Sequence, residues 1–170
     1  MRELDAQLIV QTVKRLCIEA NCQLPGDVKA CIENARAAEP WGQAQEILDR
    51  IIENYEIADT VPQPICQDTG MACVFLEIGQ DVHIVGGDLT DAVNEGVRRG
   101  YDKGYLRKSV VGDPVRRGNT GDNTPAMLYT EIVPGEQVKI TVGPKGFGSE
   151  NMSAIRMFKP SAGLQGIKDF

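Results

Sequence analysis

Apolar residues recur at helical spacing over the first third of the chain, then give way to short apolar runs punctuated by glycine and proline. From Asp5 to about Ala20, the positions Leu8, Ile9, Val13, Leu16, Cys17 and Ala20 predict a helix with one apolar face. Pro25-Gly26-Asp27 opens a second helix through Ala38, with proline and acid at the end that favours them. A third starts at Pro40-Trp41 and carries Ala44, Ile47, Leu48, Ile51, Ile52 and Tyr55 on one side. Residues 1–58 therefore read as a helical layer, a scaffold or subunit contact without chemistry of its own. The pattern changes near Thr60. Ala72 to Ile78 and Val82 to Val85 read as strands joined in a hairpin through Gly79-Gln80-Asp81. Gly86-Gly87-Asp88 leads into a helix with Leu89, Ala92, Val93, Val97 and Tyr101 along one face. Met127 to Val133 and Gln137 to Val142 predict two more strands, with Pro134-Gly135-Glu136 as a second hairpin turn. Ser149 or Asn151 is expected to cap a last helix carrying Ile155, Met157 and Phe158. The sum is an α/β fold, an N-terminal helical layer followed by a mixed β-sheet region with flanking helices over residues 59–170, within one domain.

Composition narrows the function classes. A chain of 170 residues with 42% apolar and 25% charged residues can bury a core and is not of disordered type. Net charge -6 with only 5% aromatics argues against a nucleic-acid surface or a stacking platform for single strands. No apolar run approaches the ~20 residues that cross a bilayer. The start Met1-Arg2-Glu3-Leu4-Asp5 is too acidic for an export signal, so a cytoplasmic location is expected. Cysteines 17, 22, 31, 66 and 73 are odd in number and none forms a two-residue-spaced pair, so neither disulfides nor a zinc knuckle are expected. Cys17, Cys22 and Cys31 read as packed or partly exposed helical residues, and Cys73 as core. His83, the only histidine, reads as a hydrogen-bonded strand residue rather than an acid–base group.

Four polar segments carry the candidate chemistry. Pro64-Ile65-Cys66-Gln67-Asp68-Thr69-Gly70 puts a thiol, an amide and a carboxylate in succession on a turn. A thiolate suits zinc or an iron–sulfur cluster, and its neighbours suit a small polar ligand. Tyr105 to Val111 contains Arg107, and Arg116 and Arg117 follow; a guanidinium grips a carboxylate through two parallel hydrogen bonds. Whether Arg116 and Arg117 bind a ligand or are surface charges stays open at this level. Asn119-Thr120-Gly121-Asp122-Asn123-Thr124-Pro125 has the composition of a turn. Lys145-Gly146-Phe147-Gly148-Ser149-Glu150-Asn151 is a glycine-containing loop whose exposed N–H groups could attract an anion.

In order and spacing these segments resemble the α-subunit, or N-terminal domain, of the class I iron–sulfur hydro-lyases, from about Val61 to Phe170. That family comprises class I fumarate hydratases and L(+)-tartrate dehydratases. The resemblance implies that Cys66 is a ligand of a [4Fe–4S] cluster, and that Gln67, Asp68, Arg107 and Gly148 bind substrate. It implies that the 119–125 loop supports the site, with a free cluster iron acting as Lewis acid in the reversible hydration of fumarate to L-malate. The base and further carboxylate contacts are implied to come from a β-subunit or C-terminal domain, in an α₂β₂-type or homodimeric assembly. No catalytic base is assigned to this chain. Two departures stand out: Phe147 replaces a small residue, and the family's other two cluster cysteines have no counterpart here. The chain is thus expected to be a C-terminally truncated piece, without a cluster and inactive alone. L(+)-tartrate dehydratase is the near alternative; a non-catalytic assembly module and a thiol-based sensor are alternatives of other classes.

Overall fold

The computed structural model describes residues 1–61 and 63–170, with Ser149 and Glu150 described by their backbone alone. A four-residue strand, β1 (Arg2–Asp5), runs directly into helix α1 (Ala6–Cys22), whose first turn is capped by Asp5 accepting from the Gln7 N–H at 2.8 Å. Helices α2 (Gly26–Ala38) and α3 (Gly42–Thr60) follow, then strands β2 (Met71–Gly79) and β3 (Val82–Val85). Helix α4 (Leu89–Lys103) precedes β4 (Met127–Val133) and β5 (Val138–Lys145), and a short helix α5 (Gly163–Lys168) comes last. The fold is mixed α/β, with helices first and a mixed sheet after them.

Strand β2 is the centre of a three-stranded sheet, parallel to β4 on one side and antiparallel to β5 on the other. Alternate β2 residues Ala72, Val74, Leu76 and Ile78 point to the core, where Ile9, Val10, Val13 and Cys17 of α1 and Val93, Val97 and Tyr101 of α4 meet them. The two helices cross closely because glycine sits at the contact. A Cβ on Gly96 would lie 2.7 Å from the Val13 Cβ, and one on Gly100 would lie 2.9 Å from the Cys17 Cβ. The opposite face of the sheet is uncovered, and there Phe75 stacks on Tyr129 at 5.1 Å between ring centroids.

Both expected hairpins are absent. Strand β3 pairs in parallel with β1, not with β2, and β4 and β5 are separated by β2. The N–H groups of Gly79, Gln80 and Asp81 donate to the carbonyls of Gln137, Val133 and Gly135, so the turn after β2 docks on the β4–β5 connection instead of closing a hairpin. That connection spans two strand spacings, about 10 Å, which its few residues reach easily when extended. The expected helix carrying Ile155, Met157 and Phe158 also does not form. Residues 148–152 make a short 3₁₀ turn, 153–159 are irregular, and Ile155 and Met157 are almost fully exposed. Cys73 is half-buried on the uncovered side of the sheet rather than in the core, and His83 is exposed on β3. Cys17 and Cys22 are buried and Cys31 is exposed, as the helical spacing suggested. Only part of the predicted α3 face is buried: Tyr55 packs inside, while Ile47 and Ile51 are exposed.

Candidate active site

The turn before β2 and the two segments after α4 are tied together through their main chains. Thr69, buried, donates its hydroxyl to the Arg107 carbonyl at 2.9 Å, and the Tyr101 hydroxyl donates to the Thr69 carbonyl at 2.8 Å. Asn123 is fully buried and reaches both segments. Its Nδ2 donates to the Gly70 carbonyl at 3.0 Å, and its Oδ1 accepts the N–H groups of Ser109 at 2.7 Å and Val110 at 3.1 Å. Its φ of 62° is left-handed, a conformation asparagine tolerates better than most residues. Burial, with a smaller push from neighbouring acidic groups that include Asp68, raises the Tyr101 phenol above its ordinary value, keeping it a neutral donor.

The fourth segment arrives through Asp68. Its Oδ1 accepts the Gly70 N–H and its Oδ2 accepts the Phe147 N–H, each at 3.1 Å. Two glycines make this approach possible. Gly70 has φ 59°, and a Cβ there would overlap the Lys145 carbonyl; a Cβ on Gly146 would lie 2.8 Å from Asp68 Oδ2. Asp68 thereby bridges two segments nearly eighty positions apart in the chain.

These contacts frame a cavity of about 410 Å³, walled by Asp68, Arg107, Ser109 and Arg117 together with apolar residues that include Met71 and Phe147. Its size and mixture of polar and apolar groups suit a small polar ligand. A wider depression of about 690 Å³ runs along α3 past Gln43, Glu46 and Arg50, away from all four segments. Of the residues singled out from sequence, Asp68 and Arg107 share the cavity. Cys66 and Gln67 are exposed on the turn just before Asp68 and are not part of its wall. Gly148 is exposed at the start of the 3₁₀ turn, with nothing within 4 Å of where a Cβ would be. The match at Ser149 and Glu150 lies outside the described side chains. Asn123 and Gly146 gave no separate signal, since each sits among residues that read equally well as turn formers. Arg117, left open between ligand binding and surface charge, lines the cavity while Arg116 does not.

The residues present do not make a metal site by themselves. Among the described residues no group of three or more His, Cys, Asp or Glu side chains is placed to hold a metal ion, and Cys66 stands alone beside the cavity. The buried thiol of Cys17 is pushed up to about 12 by desolvation, and burial raises that of Cys22 as well, so neither is inclined to ionise.

A family model described as fumarate hydratase (Fumerase) matches residues 10–170, nearly the whole chain. The chain belongs to the fumarate hydratase family. A relative from Methanocaldococcus jannaschii, named for an L(+)-tartrate dehydratase subunit alpha, is 38% identical over 169 residues, 95% of this chain and 59% of its own length. The L(+)-tartrate dehydratase subunit alpha of Escherichia coli K12 is 25% identical over 165 residues, covering 95% of this chain and 54% of its own. This fumarate hydratase family chain thus spans somewhat over half the length of the relatives it matches. Among its described residues no helix is long and apolar enough to cross a membrane.

Proposed function

We propose that this chain is the substrate-anchoring part of a hydro-lyase α-subunit that reversibly adds water to fumarate, giving L-malate. The observation that carries the reading is the cavity in which Asp68 and Arg107, from two separate polar segments, meet on a rigid main-chain frame. Removing the proton next to a carboxylate drives negative charge into that carboxylate. A guanidinium forked onto it stabilises the charge where it builds. Arg107 takes this part, and Asp68, held by two N–H groups, accepts from the substrate hydroxyl with its remaining lone pairs. Gln67 and Gly148, exposed beside Asp68 and Phe147 in the chain, supply further contacts to substrate.

Cys66 would be one thiolate ligand of a [4Fe–4S] cluster whose remaining ligands lie outside this chain. Its exposure beside the cavity fits a ligand completed by other residues. The base likewise comes from a β-subunit or C-terminal domain, and a hetero-oligomer with that partner is the working form. A second reading has its own support, because both relatives described above carry the name of an L(+)-tartrate dehydratase subunit alpha. In that case the same anchor holds a diol acid and water is eliminated from it.

The test is anaerobic iron and sulfide loading of the full α-subunit with its β partner, followed by assays on fumarate, L-malate and L(+)-tartrate. Turnover of fumarate and malate supports the proposal, and preference for tartrate moves it to the second reading. A colourless complex inactive on all three would sink both and leave an assembly module.

A further inference from the structure

Resting on the reading that the cavity takes a small dicarboxylate, we infer that Arg117 is a second carboxylate-binding residue contributed by this chain, beside any contacts from the partner subunit or domain, opposite in role to Arg107 and selective for a dianion. Three observations carry it. First, the charge of the wall requires it. Among the described residues of the wall, Asp68 contributes -1 and Arg107 +1, which cancel; Arg117 makes the formal sum +1, and the other described wall residues are neutral. A wall with Arg107 alone would offer a dianion no net attraction beyond one hydrogen-bonded fork.

Second, both guanidinium groups are unengaged while most others in the chain are not. Arg15, Arg36, Arg50, Arg98 and Arg99 each pair with a carboxylate, Arg2 donates to the Glu136 carbonyl, and Arg156 lies over the Phe158 ring. Among the described residues the side chains of Arg107, Arg116 and Arg117 have no such partner, and of these Arg107 and Arg117 share the cavity wall. The nearest acid in sequence, Asp113, is already turned to its own loop: its Oδ1 accepts the N–H groups of Val115 and Arg116 at 3.0 and 2.6 Å.

Third, the loop that carries Arg117 is built on the segment that carries Arg107. Val111 and Asn119 form an antiparallel bridge, Gly112 donates to the Gly118 carbonyl at 2.9 Å, and Asn119 Nδ2 donates to the Lys108 carbonyl at 2.9 Å. Arg117 itself has φ 55° and donates its N–H to the Asp113 carbonyl at 2.8 Å. A left-handed arginine is uncommon and is held here by the loop's own bonds. The backbone positions that carry the two arginines are thus tied together, and both side chains reach the one cavity wall, as a ligand with a carboxylate at each end needs. Ser109 Oγ, buried without a hydrogen-bond partner among the described residues, adds a polar group to the same wall.

The experiment is calorimetric or NMR titration of the full chain with succinate and with butyrate, four-carbon acids that differ in one carboxylate. It compares the unaltered protein with Arg107→Gln, Arg117→Gln, Arg117→Lys and Arg116→Gln, each checked for folding by circular dichroism. Arg107→Gln is expected to weaken both acids about tenfold or more. Arg117→Gln should weaken succinate about tenfold and leave butyrate within twofold, Arg117→Lys should recover part of the loss, and Arg116→Gln should change neither. Succinate binding by Arg117→Gln within twofold of the unaltered protein, with Arg107→Gln impaired, would overturn the role of Arg117 and leave the site standing. No preference for succinate in the unaltered protein, or no effect of Arg107→Gln, would overturn the site reading and the inference with it.

Discussion

Asn123 carries more of the site than any residue that touches its cavity. One amide satisfies two N–H groups after Arg107 and one carbonyl after Asp68, in full burial. Asn123→Ala removes three bonds, orphans buried backbone groups and leaves an alanine in a left-handed conformation. It is expected to cost roughly 3 kcal/mol, read as a fall in urea midpoint at unchanged slope. Asn123→Asp keeps both acceptor bonds but faces an oxygen toward the Gly70 carbonyl; it should cost a comparable amount at neutral pH and recover when the carboxyl is protonated. Thiol labelling reports on a different set of residues. Cys31 and Cys66, both exposed, should react first under native conditions, whereas Cys17 should react only on unfolding. Native labelling of Cys17 at the rate of Cys66 would contradict the packing of α1 on α4. Asp68 and Arg107 were singled out in the sequence by the family resemblance, since a carboxylate and a guanidinium by type alone did not separate them from Arg116 and Arg117 or from other acids; the structure puts both on one cavity wall. Asn123 was not singled out, because an asparagine among threonine, glycine and aspartate reads as a turn former wherever its amide points.

At the scale of elements, α1 and α4 cross in close contact at Gly96 and Gly100. Alanine at an exposed helix position would gain about 1 kcal/mol over glycine. At Gly96 the added methyl meets the Val13 Cβ at 2.7 Å, so Gly96→Ala is expected to destabilise by about 1–2 kcal/mol net. Urea unfolding decides this: a gain in stability would mean that α1 shifts freely on α4. The first four helices were visible from periodicity, unlike the short α5, and the α4 face was found with Ala92, Val93, Val97 and Tyr101 all buried. Strand pairing was not. Strand β1 has four residues and only Leu4 is buried, so no alternation announced a partner for β3. Turn residues mark where a chain reverses, and Pro134-Gly135-Glu136 does reverse it. They do not say whether another strand lies between the two they join, and β2 does.

For the whole molecule, acid stability follows from the loop behind the site. Partial burial of Asp122 opposes its ionisation, but hydrogen bonds from the Thr124 hydroxyl and N–H, with Arg98 and Thr120, outweigh it. They hold the carboxyl at about 2, below its ordinary 3.8. Because the folded value is the lower one, the stabilisation is complete above the ordinary value and is lost as pH falls from about 4 toward 2. Asp122→Asn should flatten the pH dependence of stability in that window and leave it unchanged above pH ~5. An unaltered acid transition would show that the hydrogen bonds from Thr124, Arg98 and Thr120 to Asp122 add nothing in solution. Among the described residues the sheet is covered on one side only, and a single exposed thiol, Cys66, stands on the turn leading to the cavity. The central claim is that Arg107 anchors a substrate carboxylate in a hydro-lyase, and steady-state kinetics of Arg107→Gln in the cluster-loaded αβ assembly test it most directly. The account predicts a fall of about 100-fold or more in kcat/KM for fumarate and malate with folding intact; kcat/KM within a few-fold of the unaltered enzyme would contradict it.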